Sequence, residues 1–130
     1  MALHRLLHVL RHLIISSITC ELSIIRLSPL LVPAFIAIDE IAERIRALGA
    51  YAIGGLATHA AAAQMKEFVS PLPQENYVSA LLAANENLVK DAAGARDLAG
   101  EVNDPETQDL MTARITLHQK TIWMLRSFLK

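Results

Sequence analysis

The four residues Asn103-Asp104-Pro105-Glu106 end one helix and begin another, and they constrain the fold more than any other stretch. Asp104 suits an N-cap, Pro105 the first helical position, where its missing N–H costs nothing, and Glu106 the first turn. Upstream, Val78, Leu81, Leu82, Leu88, Val89, Ala92, Ala99 and Val102 keep to one stripe and predict a long helix over 76–102. Gly94 weakens that helix by about 1 kcal/mol relative to Ala, so tertiary packing must hold it. Downstream, a last helix is predicted from Pro105 almost to Lys130. It carries Leu110, Leu117, Met124, Leu125 and Phe128 on one face and Ile115, Ile122 and Leu129 on another. Two apolar faces suit a helix packed inside its own bundle and also against a neighbouring subunit. So short a link makes the two long helices antiparallel neighbours.

Earlier in the chain, "FIAIDEIAERIRALG" predicts a helix over 34–48, with Ile38, Ile41, Ile45 and Leu48 on one side at spacings of three and four. Gly49 stands just past its end, the usual glycine position. "GAYAIGG" reads as a loop, "LATHAAAAQMKEF" as a short Ala-rich helix, and "SPLPQ" as a break. The architecture expected from pattern is an all-α, antiparallel helical bundle with a short helix in the middle connection.

Residues 1–34 differ: they hold three arginines, one glutamate and β-branched clusters without a clean period, and Pro29 and Pro33 are expected to break any helix there. His4, His8 and His12, spaced i, i+4, i+8, lie along one face of an amphipathic start whose other face is Leu6, Leu7, Val9, Leu10, Leu13 and Ile14. Such histidines can chelate a transition metal, but no carboxylate or cysteine accompanies them at metal-site spacing, so a polar stripe is the simpler reading.

The totals narrow the function classes. At 130 residues the chain is one domain by length. Hydrophobic residues make up 53% and mean hydropathy is +0.35, an apolar excess that a membrane or a subunit interface must absorb. The aliphatic run 13–38 contains Glu21, Arg26, Pro29 and Pro33, which disqualifies it as a spanning helix. The start is a poor export signal because its apolar run is brief and no small-residue cleavage site follows. A net charge of −1 provides no field for nucleic acid. The single cysteine, Cys20, excludes an internal disulfide and fits a reducing cytoplasm.

Asp39 and Glu43, four apart on the 34–48 helix, have Cβ atoms roughly 5–6 Å apart on one face. Two carboxylates so placed can hold one hard cation or bridge a pair of them. From spacing alone the simpler reading is two solvated carboxylates beside a surface i,i+4 pair, Glu40–Arg44.

"DEIAERIRALG" followed by the "GG" loop, "MKEF", the long helix and "HQKTIWMLRSFL" resembles the Dps family, the ferritin-like DNA-binding proteins from starved cells, or mini-ferritins. The resemblance covers residues 35–130. Its two best segments are Asp39–Gly49, of the form D-x-[IV]-A-E-R-x-x-x-L-G, and His118–Leu129. It implies a ferritin-like four-helix bundle that assembles as a homo-oligomer, a hollow dodecamer. Such a shell oxidises ferrous iron with hydrogen peroxide or oxygen and stores the ferric product during stress. Carried over by position, the metal ligands at a dimer interface are Asp39 and Glu43. The family pattern also calls for two histidines and another acid in the first third. Residues 15–34, "ISSITCELSIIRLSPLLVPA", hold no histidine and only Glu21 as an acid, as a frame-shifted stretch of the right length would. The alternative implied is a non-catalytic, Dps-like structural or binding subunit with an incomplete ferroxidase centre. Direct DNA binding, which gives the family its name, finds no support in the charge, and no Lys-rich tail is present. Trp123 is expected in the core or an interface, and His59 at a surface or interface.

Overall fold

The structure is a computed structural model that describes residues 1–22, 31–54, 57–58 and 73–130. Its helices are α1 (Ala2–Leu22), α2 (Leu31–Ala47), α3 (Gln74–Glu101) and α4 (Pro105–Phe128), with no strand among the described residues. α1 packs on α2 and α3, and α3 packs on α4. Ion pairs give the directions. Arg5 meets Glu101 and His12 meets Asp91, so α1 and α3 are antiparallel. Glu40 meets Arg114 and Arg44 meets Asp104, so α2 and α4 are antiparallel too. It follows that α2 and α3 run the same way and need a long crossover, residues 48–73. The short Ala-rich helix expected in that crossover and His59 lie outside the described residues.

The sequence understated the first third. α1 is a full bundle helix: Leu6, Leu10, Leu13, Ile14 and Ser17, spaced three and four apart, are all buried. Each completely buried leucine or isoleucine stabilises the fold by about 1.5–3 kcal/mol, enough to outweigh the weak helix propensity of the β-branched run. α2 also begins three residues earlier than expected and includes Pro33. Pro33 sits in the first turn, where backbone N–H groups have no acceptor within the helix, so proline is tolerated.

The core joins this α1 face to Ile41 and Ile45 of α2, Leu81, Leu88, Ala92, Ala95, Leu98 and Ala99 of α3, and Met111 and Ile115 of α4. Small alanines let α3 approach its two neighbours, and this packing holds the helix through the exposed Gly94. The bundle divides the apolar residues of α4 differently from the two faces expected, with members of each face both on the core and exposed. Ile115 and Ile122 are buried and Leu110 and Leu125 lie against the core, whereas Leu117, Met124, Phe128 and Leu129 are exposed. Trp123 is 68% exposed, which removes it from the core.

Helix ends are fixed by matching devices. After α2, Gly49 adopts φ +82°, its N–H donates to Arg46 O (3.0 Å), and Ala50 N–H donates to Ile45 O (3.1 Å). After α3 the same pair of bonds recurs, with Asn103 at φ 55° in the glycine's place: Asn103 N–H to Gly100 O (3.2 Å) and Asp104 N–H to Ala99 O (3.0 Å). Asp104 then caps α4, its carboxylate accepting from Thr107 N–H at 3.0 Å. One residue thus closes α3 and opens α4.

The fourth side of the bundle, α2 against α4, is bridged by long polar side chains. Arg44 Nη2 donates to Asp104 Oδ1 at 2.6 Å and Arg44 Nε donates to Thr107 Oγ1 at 2.9 Å, while the Thr107 hydroxyl donates to the other Asp104 oxygen. Asp104 and Thr107 are buried, so these bonds are not competed away by water. Arg44→Leu leaves the Asp104 carboxylate buried without its cation. A loss of about 3 kcal/mol is expected in denaturant unfolding at pH 7, with Arg44→Lys recovering only part of it because an ammonium lacks the guanidinium fork.

Candidate metal centre

α2 carries five charges in eight residues, and the bundle sorts them. Glu40 accepts from Arg114 Nη2 at 2.7 Å, and Arg44 reaches the start of α4 as described. These two residues, which spacing would allow to pair along the helix surface, bind across to α4 instead. With that stripe pinned inward, Asp39 and Glu43 are left on an adjoining stripe, and both are exposed. The helix therefore presents a carboxylate pair outward. Its donors are hard oxygens, the kind that suit iron or another hard cation, but two ligands are few. No group of three or more His, Cys, Asp or Glu side chains that could hold a metal ion occurs among the described residues. Among one chain's described residues, Asp39 and Glu43 stand as a carboxylate pair outside any such group.

Two further polar sites were not anticipated from sequence. His118 on α4 lies against Asn85 on α3: the His118 Nδ1–H donates to Asn85 Oδ1 at 2.8 Å, and the Asn85 amide donates to Leu81 O at 2.8 Å. Burial, aided by the Arg114 cation one turn away, pushes the His118 pKa down to about 4. A signal existed. Asn85 falls on the apolar stripe between Leu81 and Leu88, and a polar group there must find a partner. The second site is His12, whose Nδ1 lies 3.2 Å from Asp91 on α3. The carboxylate missing from the histidine stripe arrives from another helix, which local spacing cannot reveal. A groove of about 430 Å³ between α3 and α4, lined by Val89, Ile122 and Trp123 and crossed by the Glu86–Arg126 ion pair, belongs to neither acid site. The Cys20 side chain lies outside the described residues.

A family model described as a ferritin-like domain matches residues 36–130. The chain belongs to the Dps family of ferritin-like proteins. It is 36% identical over 95 residues to an uncharacterised low temperature-induced protein of Nostoc, a match covering 72% of this chain and 53% of that protein. It is 33% identical over 93 residues to a DNA protection during starvation protein of Brevibacillus brevis, covering 72% and 62%. The chain thus spans between about half and under two-thirds of the length of these relatives. In fold it is similar to the antigen TpF1 of Treponema pallidum (TM-score 0.91, 23% identity, 99% of this chain and 94% of that one). It is also similar to a Dps protein of Vibrio cholerae O1, described as one of the ferritin-like diiron-carboxylate proteins (TM-score 0.90, 23% identity, 99% and 91%). These likenesses establish the ferritin-like fold, and they extend over α1, which the family model does not reach. No helix among the described residues is long and apolar enough to cross a membrane.

The buried network makes this Dps-family chain sensitive to acid. An unfolded His118 takes up its proton as pH falls through 6.5, whereas the folded one resists until about 4. Its contribution is therefore complete above 6.5 and lost as pH drops toward 4. Asp104 acts in the same direction. Burial alone raises its carboxyl pKa, but Thr107 and Arg44 outweigh that and hold it below the ordinary range, so its stabilisation also fades in acid. Chemical unfolding at pH 7, 6, 5 and 4 is expected to show declining stability. His118→Gln is expected to abolish up to about 3 kcal/mol of the decline.

Proposed function

We propose that the chain is a subunit of an iron-binding, iron-storing mini-ferritin that protects cells under stress, with Asp39 and Glu43 as oxygen ligands for ferrous iron. The observation that carries this reading is the sorting of charges on α2. Glu40 and Arg44 are committed to α4, and the carboxylate pair that the family motif designates for metal is free to face outward. Iron is the substrate. Each Fe(II) gives up one electron, hydrogen peroxide takes two and leaves as water with two protons, and the Fe(III) produced hydrolyses and is stored. Asp39 and Glu43 bind the cation and offset the charge added on oxidation. A helix packed on α1 and ion-paired to α4 keeps the two carboxylates in register without a flexible loop. The exposed Trp123, Met124, Phe128 and Leu129 form an apolar end to α4 that favours a homo-oligomer, in the family a dodecamer.

A second reading has its own support. The described residues hold no imidazole beside Asp39 and Glu43 and no three-ligand group. A carboxylate-only half-centre binds ferrous iron weakly, because imidazole is a favoured ligand for such sites. On this reading the chain is a Dps-like structural or binding subunit with no oxidation activity of its own.

Stopped-flow oxidation of Fe(II) with hydrogen peroxide separates the two. The mini-ferritin reading expects a rate above the buffer blank that falls at least tenfold in Asp39→Asn/Glu43→Gln, and a native mass near twelve copies of a 14.2 kDa chain, about 170 kDa. A wild-type rate equal to the blank, from a particle of that mass, leaves the non-catalytic subunit as the conclusion.

A further inference from the structure

At one end of the bundle the core thins out, and a part-buried histidine stands at that boundary. Along α4 the inner residues Thr107 and Met111 are fully buried, Ile115 and Ile122 are 9% and 8% exposed, and none of residues 123–128 is buried. The facing end of α3 is alike: none of residues 74–80 is buried, and Leu81 is the first that is. A chain of three groups joins the two helices here. His118 Nδ1–H donates to Asn85 Oδ1 (2.8 Å), and the Asn85 amide donates to the Leu81 carbonyl (2.8 Å). Because the Asn85 nitrogen is committed to Leu81, its oxygen faces the ring, and Nδ1 carries the proton. Beyond this chain α4 is held by Ile122, by Leu125 against the core and by the exposed Glu86–Arg126 pair (2.8 Å), which crosses the groove of about 430 Å³.

We infer that residues 119–128 of α4 form an arm that opens in mild acid, with protonation of His118 as the trigger, while the rest of the bundle stays folded. The groups around the imidazole give a second proton no counter-charge. α3 offers the neutral Asn85, and the adjacent Glu86 is turned to Arg126. On α4 the charge that acts on the ring is another cation, Arg114, whose own partner is Glu40 of α2 at 2.7 Å. α1 meets α3 through His12 and Asp91, farther along α3 than Asn85. An imidazolium here is an unmatched charge in a part-buried position, and opening the arm gives it to water. The same surroundings hold the histidine's pKa at about 4 in the closed arm, against 6.5 once released. Below 6.5 the open arm takes up a proton that the closed one refuses, so the open population grows by up to about tenfold per pH unit until about 4. Opening is confined to this end because few buried groups lie beyond His118, whereas the start of α4 is anchored by Arg44, Asp104 and Thr107. Asp104, held below the ordinary 3.8, keeps its charge over this range. The arm carries Trp123, Met124 and Phe128, part of the apolar end proposed to join copies. An effect of acid on assembly rests on that reading; the opening itself does not.

The test is hydrogen–deuterium exchange of the full chain at pH 7, 6 and 5, with rates corrected for the pH dependence of free amides. Amides of 119–128 are expected to exchange through an opening about a hundredfold or more as populated as the one that exposes 108–115. That opening is insensitive to 1 M urea, since it uncovers little surface. Its population rises about twentyfold from pH 7 to pH 5. His118→Gln keeps a neutral hydrogen-bonding amide and reduces the response to less than about twofold, and Asn85→Asp, which supplies the missing counter-charge, also removes the rise. The inference is overturned if 119–128 and 108–115 exchange with equal protection and equal urea response, since only global unfolding is then present. It is equally overturned if the arm opens to the same extent at all three pH values, or if both variants keep the wild-type response. Exchange reads the arm whether or not copies assemble, so a chain that never forms a shell sinks the assembly reading and leaves the arm standing.

Discussion

The buried pairing of Arg44 with Asp104 is the constraint on which the rest of the bundle turns. Asp104 is the last residue of the device that ends α3 and the first of the device that begins α4, and it accepts from the one arginine of α2 that reaches this corner. Three helices are therefore referenced to one carboxylate. Apolar packing could hold them together without it, since the core is continuous from α1 to α4. Packing of Ile41 and Ile45 fixes which side of α2 faces the core, and a guanidinium fork between a carboxylate and a hydroxyl adds a directional restraint. The pairing reinforces the rotation of α2 that its buried isoleucines impose.

That rotation matters for the proposed chemistry. Residues 39, 40, 43 and 44 make two stripes on α2, one through Asp39 and Glu43 and one through Glu40 and Arg44. The buried side of α2, through Ala37, Ile41 and Ile45, already places Asp39 and Glu43 on the far face and Glu40 and Arg44 on its flank. The Glu40–Arg114 bond holds that flank a second time, one turn from the first. The acids on the outer stripe face away from the core, and these bonds hold the flank beside them.

α1 shows how a segment lacking its family's expected residues still completes the fold. The bundle needs an apolar stripe opposite Leu88, Ala92 and Ala95, and Leu6, Leu10, Leu13 and Ile14 supply it. Burial asks only for apolar volume at helical spacing. Ligand sets ask for particular atoms, which is why the fold is intact here although no group of three or more His, Cys, Asp or Glu side chains that could hold a metal ion occurs among the described residues.

The amino-acid sequence alone determined the long helices, their ends and the family. Periodicity, an N-cap aspartate followed by proline, and a glycine past a helix end all act between residues a few positions apart, so they can be read along the chain. It disclosed the start of α1, as an amphipathic stretch through Ile14, but not its continuation to Leu22, where β-branched residues argue against helix until the burial of its inner face is counted. The partner of His118 was half legible, in an asparagine on an apolar stripe. The partner of His12 and the crossing of Glu40 and Arg44 to α4 were not legible at all. Those are contacts between side chains on different helices, fixed by how the helices rotate and register when the core closes, and only the tertiary structure decides that.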